Sequence, residues 1–302
     1  MQLMSDTELE VFRSLLRADC HERAFMLAAV GIPSVIGFDG VHYLLQVEPA
    51  YSADARSHLL SYARESRDDM QRRATTPAMQ APRLYSGAWV GAVVYVVVLV
   101  AVGLAVANGW WRLDSFEVGE LDAGRVQSGQ WWRAWTALTL HLDSAHLAAN
   151  LGAGACFGYL AARQIGSGSA WLLIVCGAAL ANLFESQFGP SSHRAVGAST
   201  AVFTALGLLA AHSWRTRLHL PQGWAWRWAP LVAGAVLLGW FGSAGEGTDI
   251  VAHALGFAFG CLLGVGAALP IGAKLLNGVP QWLSGGAVVA AMVIAWACAL
   301  AS

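Results

Sequence analysis

One serine, Ser199, lies in the otherwise apolar stretch AVGASTAVFTALG (195–207). A serine hydroxyl becomes an effective nucleophile only when a base takes its proton, and histidine is the usual base. His253 lies in a second apolar stretch, and His146 and Asn150 lie four residues apart in a third. A lone serine in such surroundings more often hydrogen-bonds to its own helix. The hypothesis of nucleophilic catalysis therefore depends on whether these four residues come together.

The composition predicts a membrane protein. Of 302 residues, 56% are hydrophobic and 12% are charged, whereas soluble domains carry about 25% charged residues. The net charge of −1 argues against nucleic acid as a partner. The five cysteines are odd in number and form no CxxC pair, so they predict neither a disulfide framework nor a metal site. Seven segments approach the roughly 20 apolar residues that a membrane-spanning helix needs: 87–108, 146–162, 170–188, 198–212, 229–242, 250–270 and 284–301.

The basic residues predict the orientation of these spans, because cytoplasmic ends carry the excess of Lys and Arg. With the N-terminus in the cytoplasm and the C-terminus outside, 14 basic residues lie inside and 4 outside. The second, fourth and sixth spans then begin at the outer face. This places His146, Asn150, Ser199 and His253 at a similar depth near that face.

Glycines predict close contact between the span that carries Ser199 and the span that carries His253. Small residues at four-residue spacing let membrane helices approach closely, although the same pattern also serves generic packing. Gly256, Gly260 and Gly264 follow His253 at this spacing. The serine span offers matching clearance at Gly197 and Gly207.

His146 and Asn150 share one helix face because they are four residues apart. An amide and an imidazole N–H could stabilise an oxyanion beside the backbone N–H of Ser199. A metal site is the alternative, but the HxxxN spacing lacks a third ligand and the chain has no HExxH.

Two further polar residues have structural interpretations. Asp249 lies one turn before His253 and could orient its ring, but we prefer the interpretation that Asp249 begins the helix. His141 could stabilise the loop before the second span by hydrogen bonding.

The first 85 residues contain no apolar run long enough to cross a bilayer and no signal-peptide pattern. Helical periodicity covers Glu22 to Ile32, and Ala53 to Ser66 predicts an amphipathic helix. Between them, Asp39-Gly40 joins two β-rich runs and predicts a hairpin. The polar stretch from Arg67 to Tyr85 indicates a linker. We expect a small soluble α+β domain over residues 1–72, and we assign residues 73–85 to the linker.

Three motifs resemble those of the rhomboid intramembrane serine proteases. WWRAWTALTLHLDSAHLAANLGAG (131–154) resembles the family's Trp-Arg loop followed by its His…His-x-x-x-Asn run. The stretch 195–207 resembles its Gly-x-Ser helix, and AHALGFAFG (252–260) resembles its Ala-His-x-x-Gly-x-x-x-Gly helix. The resemblance covers roughly residues 86–270 in the family's order.

The resemblance implies that Ser199 is the nucleophile, that His253 is the base, and that His146 and Asn150 line the oxyanion site. Phe203 takes the place of a tyrosine that stacks on the histidine in many bacterial members. No cofactor and no metal are expected. Structural roles are expected for Trp132, Arg133, His141, Gly197, Phe203, Gly207, Gly256 and Gly260.

The predicted fold is an all-α polytopic membrane protein, with a rhomboid-like six-helix bundle over 86–270 and a loop plus a seventh transmembrane helix over 271–302. The predicted function is cleavage of transmembrane segments of other proteins in a bacterial inner membrane. A catalytically inactive rhomboid-like protein that binds or escorts membrane helices is the alternative, and a small-molecule transporter is a third. The sequence of the N-terminal domain does not indicate what it binds.

Overall fold

The computed structural model describes residues 8–75, 84–110, 114–218, 220, 223–243 and 249–302. The chain divides into two compact units, Met1–Ala81 and Pro82–Ser302. Most of the predicted linker, over 76–83, lies outside the described residues. The domain boundaries given above therefore remain predictions.

The N-terminal unit is a three-stranded antiparallel sheet with strand order β1-β3-β2 and two helices. Its hydrophobic core includes the fully buried Cys20, Leu27 and Leu45. The elements are β1 (Leu9–Ser14), α1 (Arg17–Ala29), β2 (Val35–Phe38), β3 (Tyr43–Val47) and α2 (Ser52–Thr75).

The predicted hairpin is present between β2 and β3. Asp39 Oδ1 accepts hydrogen bonds from the N–H groups of Val41 at 2.8 Å and His42 at 2.7 Å. Gly40 has a φ of +102°, which glycine adopts without strain. The turn chemistry therefore fixes the register in which Phe38 pairs with Tyr43.

Three details of this unit differ from the sequence prediction. Strand β1 was not predicted, and α1 begins at Arg17 rather than Glu22. Helix α2 continues to Thr75, past the predicted end of the amphipathic helix at Ser66 and through the first part of the predicted linker.

The second unit is a helical bundle joined by short helices and one two-stranded ribbon. Each of the seven predicted apolar segments falls on one of its helices of 19 to 22 residues. The elements are α3 (Trp89–Ala107), α4 (Ser115–Gly119), β4 (Leu121–Asp122), α5 (Ala123–Gln127), α6 (Arg133–Thr136), α7 (Ser144–Ile165), α8 (Ser167–Phe188), β5 (Arg194–Ala195), α9 (Ser199–Arg217), α10 (Trp224–Gly242), α11 (Ile250–Ala268), α12 (Pro270–Gly278) and α13 (Gln281–Ala301).

Several helices have the length and composition to cross a membrane. Within the described ranges, four meet both criteria: Ser86–Ala107, Ser167–Phe188, Ile250–Ala268 and Gln281–Ala301. The protein is thus a membrane protein, and the membrane-spanning assignment of α7, α9 and α10 stays a prediction.

Helix α9 is the central helix of the bundle. Its residues from Thr200 to Leu208 are all buried, whereas α3 and α13 expose many large apolar side chains. An exposed apolar surface of this kind is suited to lipid. Ser199 therefore begins a helix that its neighbours surround.

Helix α13 is joined to the bundle by polar contacts near both of its ends. Gln281 accepts a hydrogen bond from the N–H of Ser169 at 3.0 Å and donates to the Ser169 hydroxyl at 3.1 Å. Trp296 Nε1 donates to Thr139 Oγ1 at 3.1 Å. The seventh long helix is consequently part of the packed bundle.

A short antiparallel ribbon holds the segment that leads to Ser199. Leu121 of β4 pairs with Ala195 of β5, and Asp122 pairs with Arg194. Asp122 also caps α5 and lies 3.2 Å from an Arg194 guanidinium nitrogen. The loop between α3 and α7 thereby fixes the approach to α9.

Candidate active site

The backbone turns sharply into α9 immediately before Ser199. Gly197 has a φ of +135°, a conformation that L side chains rarely adopt. A Cβ atom there would lie 2.8 Å from His146 Cε1 and 2.9 Å from His146 Nε2, and 3.7 Å from Ser199 Oγ. A glycine at this position therefore lets the chain pass directly over the His146 ring and brings that ring close to the serine.

His141 supports the same turn from the side. Its Nε2 accepts a hydrogen bond from the Ala198 N–H at 3.3 Å, and its ring lies 5.1 Å from the His146 ring. Burial and the neighbouring His146 lower the pKa of His141 to about 4. His141 is therefore neutral at pH 7 and keeps the lone pair that this hydrogen bond needs.

Asn150 lies one turn after His146 and is 6% exposed. Its backbone carbonyl accepts a hydrogen bond from the Tyr95 hydroxyl at 2.8 Å. Its side-chain Nδ2 is buried and has no hydrogen-bond partner among the described residues. Leaving a buried donor unpaired costs about 1–3 kcal/mol, so this amide is a candidate for binding an oxygen that arrives with a substrate.

The first turn of α9 supplies further donors. The first N–H groups of a helix have no carbonyl partner within it and carry the positive end of the helix dipole. Ser199 is the first residue of α9. An oxygen that becomes negative beside Ser199 would meet these groups.

His253 is held by the end of a neighbouring helix. Gly242 ends α10, so its carbonyl lacks a helical partner, and it lies 2.9 Å from His253 Nδ1. A carbonyl only accepts hydrogen bonds, so Nδ1 carries the proton and donates it. In the neutral ring, Nε2 is then the nitrogen with a free lone pair.

Phe203 packs on this imidazole. The ring centroids are 4.4 Å apart with an interplanar angle of 38°, and Phe203 is 4% exposed. Phe203 lies one turn after Ser199 on α9, so the nucleophile candidate and the ring beneath the base candidate share one helix.

Helices α9 and α11 are in backbone contact along the glycine stripe. A Cβ at Gly256 would lie 2.6 Å from the Thr200 carbonyl oxygen, and one at Gly264 would lie 2.5 Å from that of Leu208. Gly260 is closer still to the Thr204 carbonyl. From the other side, a Cβ at Gly207 would clash with the carbonyl of Phe257. No larger residue fits at these positions without separating the helices.

The structure brings Ser199 and His253 onto these two touching helices, but it does not join them directly. Across the described part of the chain, no hydrogen bond links Ser199 Oγ to the His253 ring. Catalytic hydrogen bonds are often long before substrate binds. The nucleophile and base roles therefore remain predictions.

Arg133 organises the loop between α3 and α7. Its guanidinium is 1% exposed and donates to Gln130 Oε1 at 2.6 Å, to the Glu120 carbonyl at 2.9 Å and to the Glu117 carbonyl at 2.8 Å. The adjacent Trp132 packs on the apolar cluster of Leu140 and Trp296. Both sets of contacts hold the loop in place.

Asp249 begins α11 rather than reaching the His253 ring. Its Oδ1 accepts a hydrogen bond from the Ala252 N–H at 3.0 Å, a helix N-cap. Its Oδ2 faces His193 at 3.1 Å, beside Glu185. Sequence reasoning did not predict this second polar cluster, because its three members lie on three elements without a recognisable spacing.

Comparison with known proteins agrees with these motifs. The family model of the rhomboid domain matches residues 128–269. Ser199, His253, His146 and Asn150 all lie within that range.

One similar protein is the "Rhomboid protease GluP" of Bacillus subtilis (strain 168). It is 33% identical over 91 residues, which are 30% of this chain and 18% of the relative. The match thus spans less than a fifth of that protein's length. Residues 128–269 form a rhomboid domain, and both comparisons support membership of the rhomboid family.

Proposed function

We propose that the protein is an intramembrane serine endopeptidase in which Ser199 is the nucleophile and His253 the general base. Members of the rhomboid family are typically serine proteases of this kind. The arrangement of polar groups around the start of α9 supports the proposal.

The orientation of His253 is the observation that carries it. Because Nδ1 donates to the Gly242 carbonyl, Nε2 is left as the basic nitrogen, as a general base requires. This carbonyl takes the orienting role that a carboxylate has in a catalytic triad. A third acidic residue is therefore not needed.

The reaction proceeds through an acyl-enzyme. Nε2 takes the proton from Ser199 as Oγ attacks the carbonyl carbon of the scissile peptide bond. His253 then gives that proton to the leaving amine as the C–N bond breaks. Water, activated by the same nitrogen, hydrolyses the ester and restores the Ser199 hydroxyl.

The oxyanion of each tetrahedral intermediate binds where unpaired donors converge. The Asn150 amide is buried and has no hydrogen-bond partner in the part of the chain that the structure describes, and the His146 ring borders the turn at Gly197. With the Ser199 N–H, these groups stabilise negative charge as it develops.

The substrates are transmembrane segments of other membrane proteins. A membrane helix satisfies its own backbone hydrogen bonds and hides its carbonyls, so a substrate must unwind locally to reach Ser199. The distribution of basic residues supports an orientation with the N-terminus in the cytoplasm, the C-terminus outside and the site near the outer face of what we propose is a bacterial inner membrane.

Labelling with a serine-directed phosphonate tests the nucleophile. Purified wild-type protein is expected to bind the probe covalently and to cleave a reporter transmembrane substrate. Ser199→Ala is expected to lose both properties. Ser213→Ala, at the other end of α9, is the matched control and should behave as wild type.

Further variants separate the roles. His253→Ala should abolish cleavage, and combining it with Ser199→Ala should cost little more, because the two act as a unit. Asn150→Ala should lower the rate by about 10²–10³, the usual effect of removing one oxyanion donor. Full cleavage by Ser199→Ala would refute the proposal. A wild type that neither labels nor cleaves but co-purifies with membrane helices would instead indicate an inactive helix-binding protein.

A further inference from the structure

Three side chains of types that can bind a metal ion, none of them part of the proposed dyad, lie close together. Glu185 is near the end of α8, His193 is in the segment 189–198, and Asp249 caps α11. One ligand atom from each lies within 4.8 Å of the others. His193 Nε2 is 3.1 Å from Asp249 Oδ2 and 3.7 Å from Glu185 Oε1.

With both carboxyl groups ionised, these atoms face one another without hydrogen bonds; a hydrogen bond between Glu185 and Asp249 requires that one carboxyl group keeps its proton. Glu185 Oε2, His193 Nε2 and Asp249 Oδ2 are buried, and none has a hydrogen-bond partner within the described ranges. Glu185 itself is only 6% exposed. Although Asp249 Oδ2 is close to Nε2, it lies off the direction in which a ring N–H would point. The three side chains therefore bring potential ligand atoms into one small space.

The separations match those of ligands around a small cation. Zn²⁺ binds nitrogen and oxygen at about 2.0–2.2 Å in tetrahedral geometry, which sets neighbouring ligands roughly 3.3 Å apart. The two separations from His193, 3.1 and 3.7 Å, bracket that value, and all three ligand atoms lie within 4.8 Å of one another. Two carboxylates supply negative charge, and the imidazole favours a transition metal over Mg²⁺ or Ca²⁺.

We propose that Glu185, His193 and Asp249 bind one divalent first-row transition-metal ion such as Zn²⁺. An adjoining cavity of about 310 Å³, bordered by Phe184, Phe188 and all three ligands, has room for water in the remaining position. Asp249 serves both purposes, because Oδ1 caps α11 while Oδ2 binds the ion.

The ion would join three segments that converge on the candidate active site. One ligand is on α8, one is five residues before Ala198 at the turn into α9, and one is a single turn before His253. Metal binding would thereby fix the start of α9 relative to the start of α11. The site does not depend on Ser199 being a nucleophile, so it can be tested in Ser199→Ala protein.

Calorimetric titration with Zn²⁺ tests the site directly. The full chain, purified in detergent with a tag free of histidine and stripped with EDTA, is expected to bind one ion with high affinity. Glu185→Gln, His193→Gln and Asp249→Asn each remove one ligand while keeping the side-chain size close, and Asn still caps the helix. Each is expected to weaken binding by about 100-fold or more. Loss of an outer-shell partner already costs about 10- to 100-fold in metal affinity, and these variants lose a direct ligand.

Matched substitutions outside the cluster control for nonspecific binding. Glu117→Gln changes an exposed glutamate of the outer loop, and His21→Gln changes an exposed histidine of the N-terminal unit. Both should bind Zn²⁺ as wild type does. Co²⁺ in place of Zn²⁺ should give visible absorption bands of a low-coordinate site in the wild type, and these bands should disappear in His193→Gln.

Thermal melting of each metal-free variant tests whether it is folded. A variant that is not folded is left out, and the comparison uses the remaining variants. The absence of stoichiometric Zn²⁺ binding by the wild type would overturn the proposal, leaving a carboxyl pair that shares a proton. Binding that is unchanged in all three ligand variants would overturn it as well.

Discussion

Replacing Gly256 by alanine tests whether close helix packing positions the proposed dyad. The added Cβ would lie 2.6 Å from the Thr200 carbonyl oxygen, whereas ordinary contact begins at 3.4 Å. The nearest atom is backbone, so α9 and α11 must separate by roughly 0.8 Å, since no flexible side chain can give way. Thr200 follows Ser199, and Gly256 is one turn after His253. The displacement would therefore move Ser199 away from His253.

The expected effect is a large loss of activity in a folded protein. Misplacing catalytic groups by about 1 Å can cost about 100-fold in rate, so Gly256→Ala should lower kcat for a reporter transmembrane substrate by about that factor. Gly266→Ala is the matched control, because it adds the same methyl to α11 where nothing lies within 4 Å. It should keep wild-type activity.

Proteoliposome cleavage assays and thermal melting in detergent should be measured on the same preparations. A Gly256→Ala protein that is folded and cleaves at the wild-type rate would refute the reasoning, because the glycine would then serve packing alone. Equal losses in Gly256→Ala and Gly266→Ala would also refute it, since the loss would not follow from the contact.

Three further predictions concern the surroundings of the site. Phe203→Ala should lower activity more than Phe203→Tyr, because only the former removes the ring from His253; equal cleavage rates would contradict this. Arg133→Ala should lower the free energy of unfolding by about 2–4 kcal/mol, because three buried hydrogen bonds are lost; thermal melting should place Arg133→Lys between it and wild type. The pKa of His141 falls from 6.5 to about 4 on folding, so the unfolded chain binds the proton first and stability should drop as the pH falls from about 6.5 towards 4. His141→Asn should flatten that part of the melting-temperature profile, and an unchanged slope would assign it to other groups.

Hydropathy predicted the long helices that position the site, and turn chemistry predicted the hairpin of the N-terminal unit. The long helices of the second unit follow from apolar runs near membrane length, and the hairpin follows from Asp39-Gly40. Helix α2 extends past its predicted end because RESRDDMQRRAT has helix-forming residues without an apolar face, a pattern that also suits a linker. Strand β1 was missed because its pairing with β3 is a long-range contact that LEVFRS does not reveal locally.

The site was predictable only in part. The positions of Ser199 and His253 follow from the order of the spans and from the motif resemblance. The glycine stripe predicted that the helices carrying these two residues are in close contact. The hydrogen bond from His253 to Gly242 was not predictable, because it depends on where α10 ends. The cluster at Glu185 was missed for a related reason, since its members meet only after α8 and α11 pack together.

The ribbon of β4 and β5 has a consequence for the order of folding. Its strands are separated in sequence by helices α5 to α8, so pairing Leu121 with Ala195 closes a loop of about 70 residues. Non-local closure of this kind is slow compared with helix formation. The turn over His146 takes its shape from the same segment. We therefore expect the site around Ser199 to assemble late, after the helices that surround it, so that a partly folded chain would lack the geometry on which the proposed activity depends.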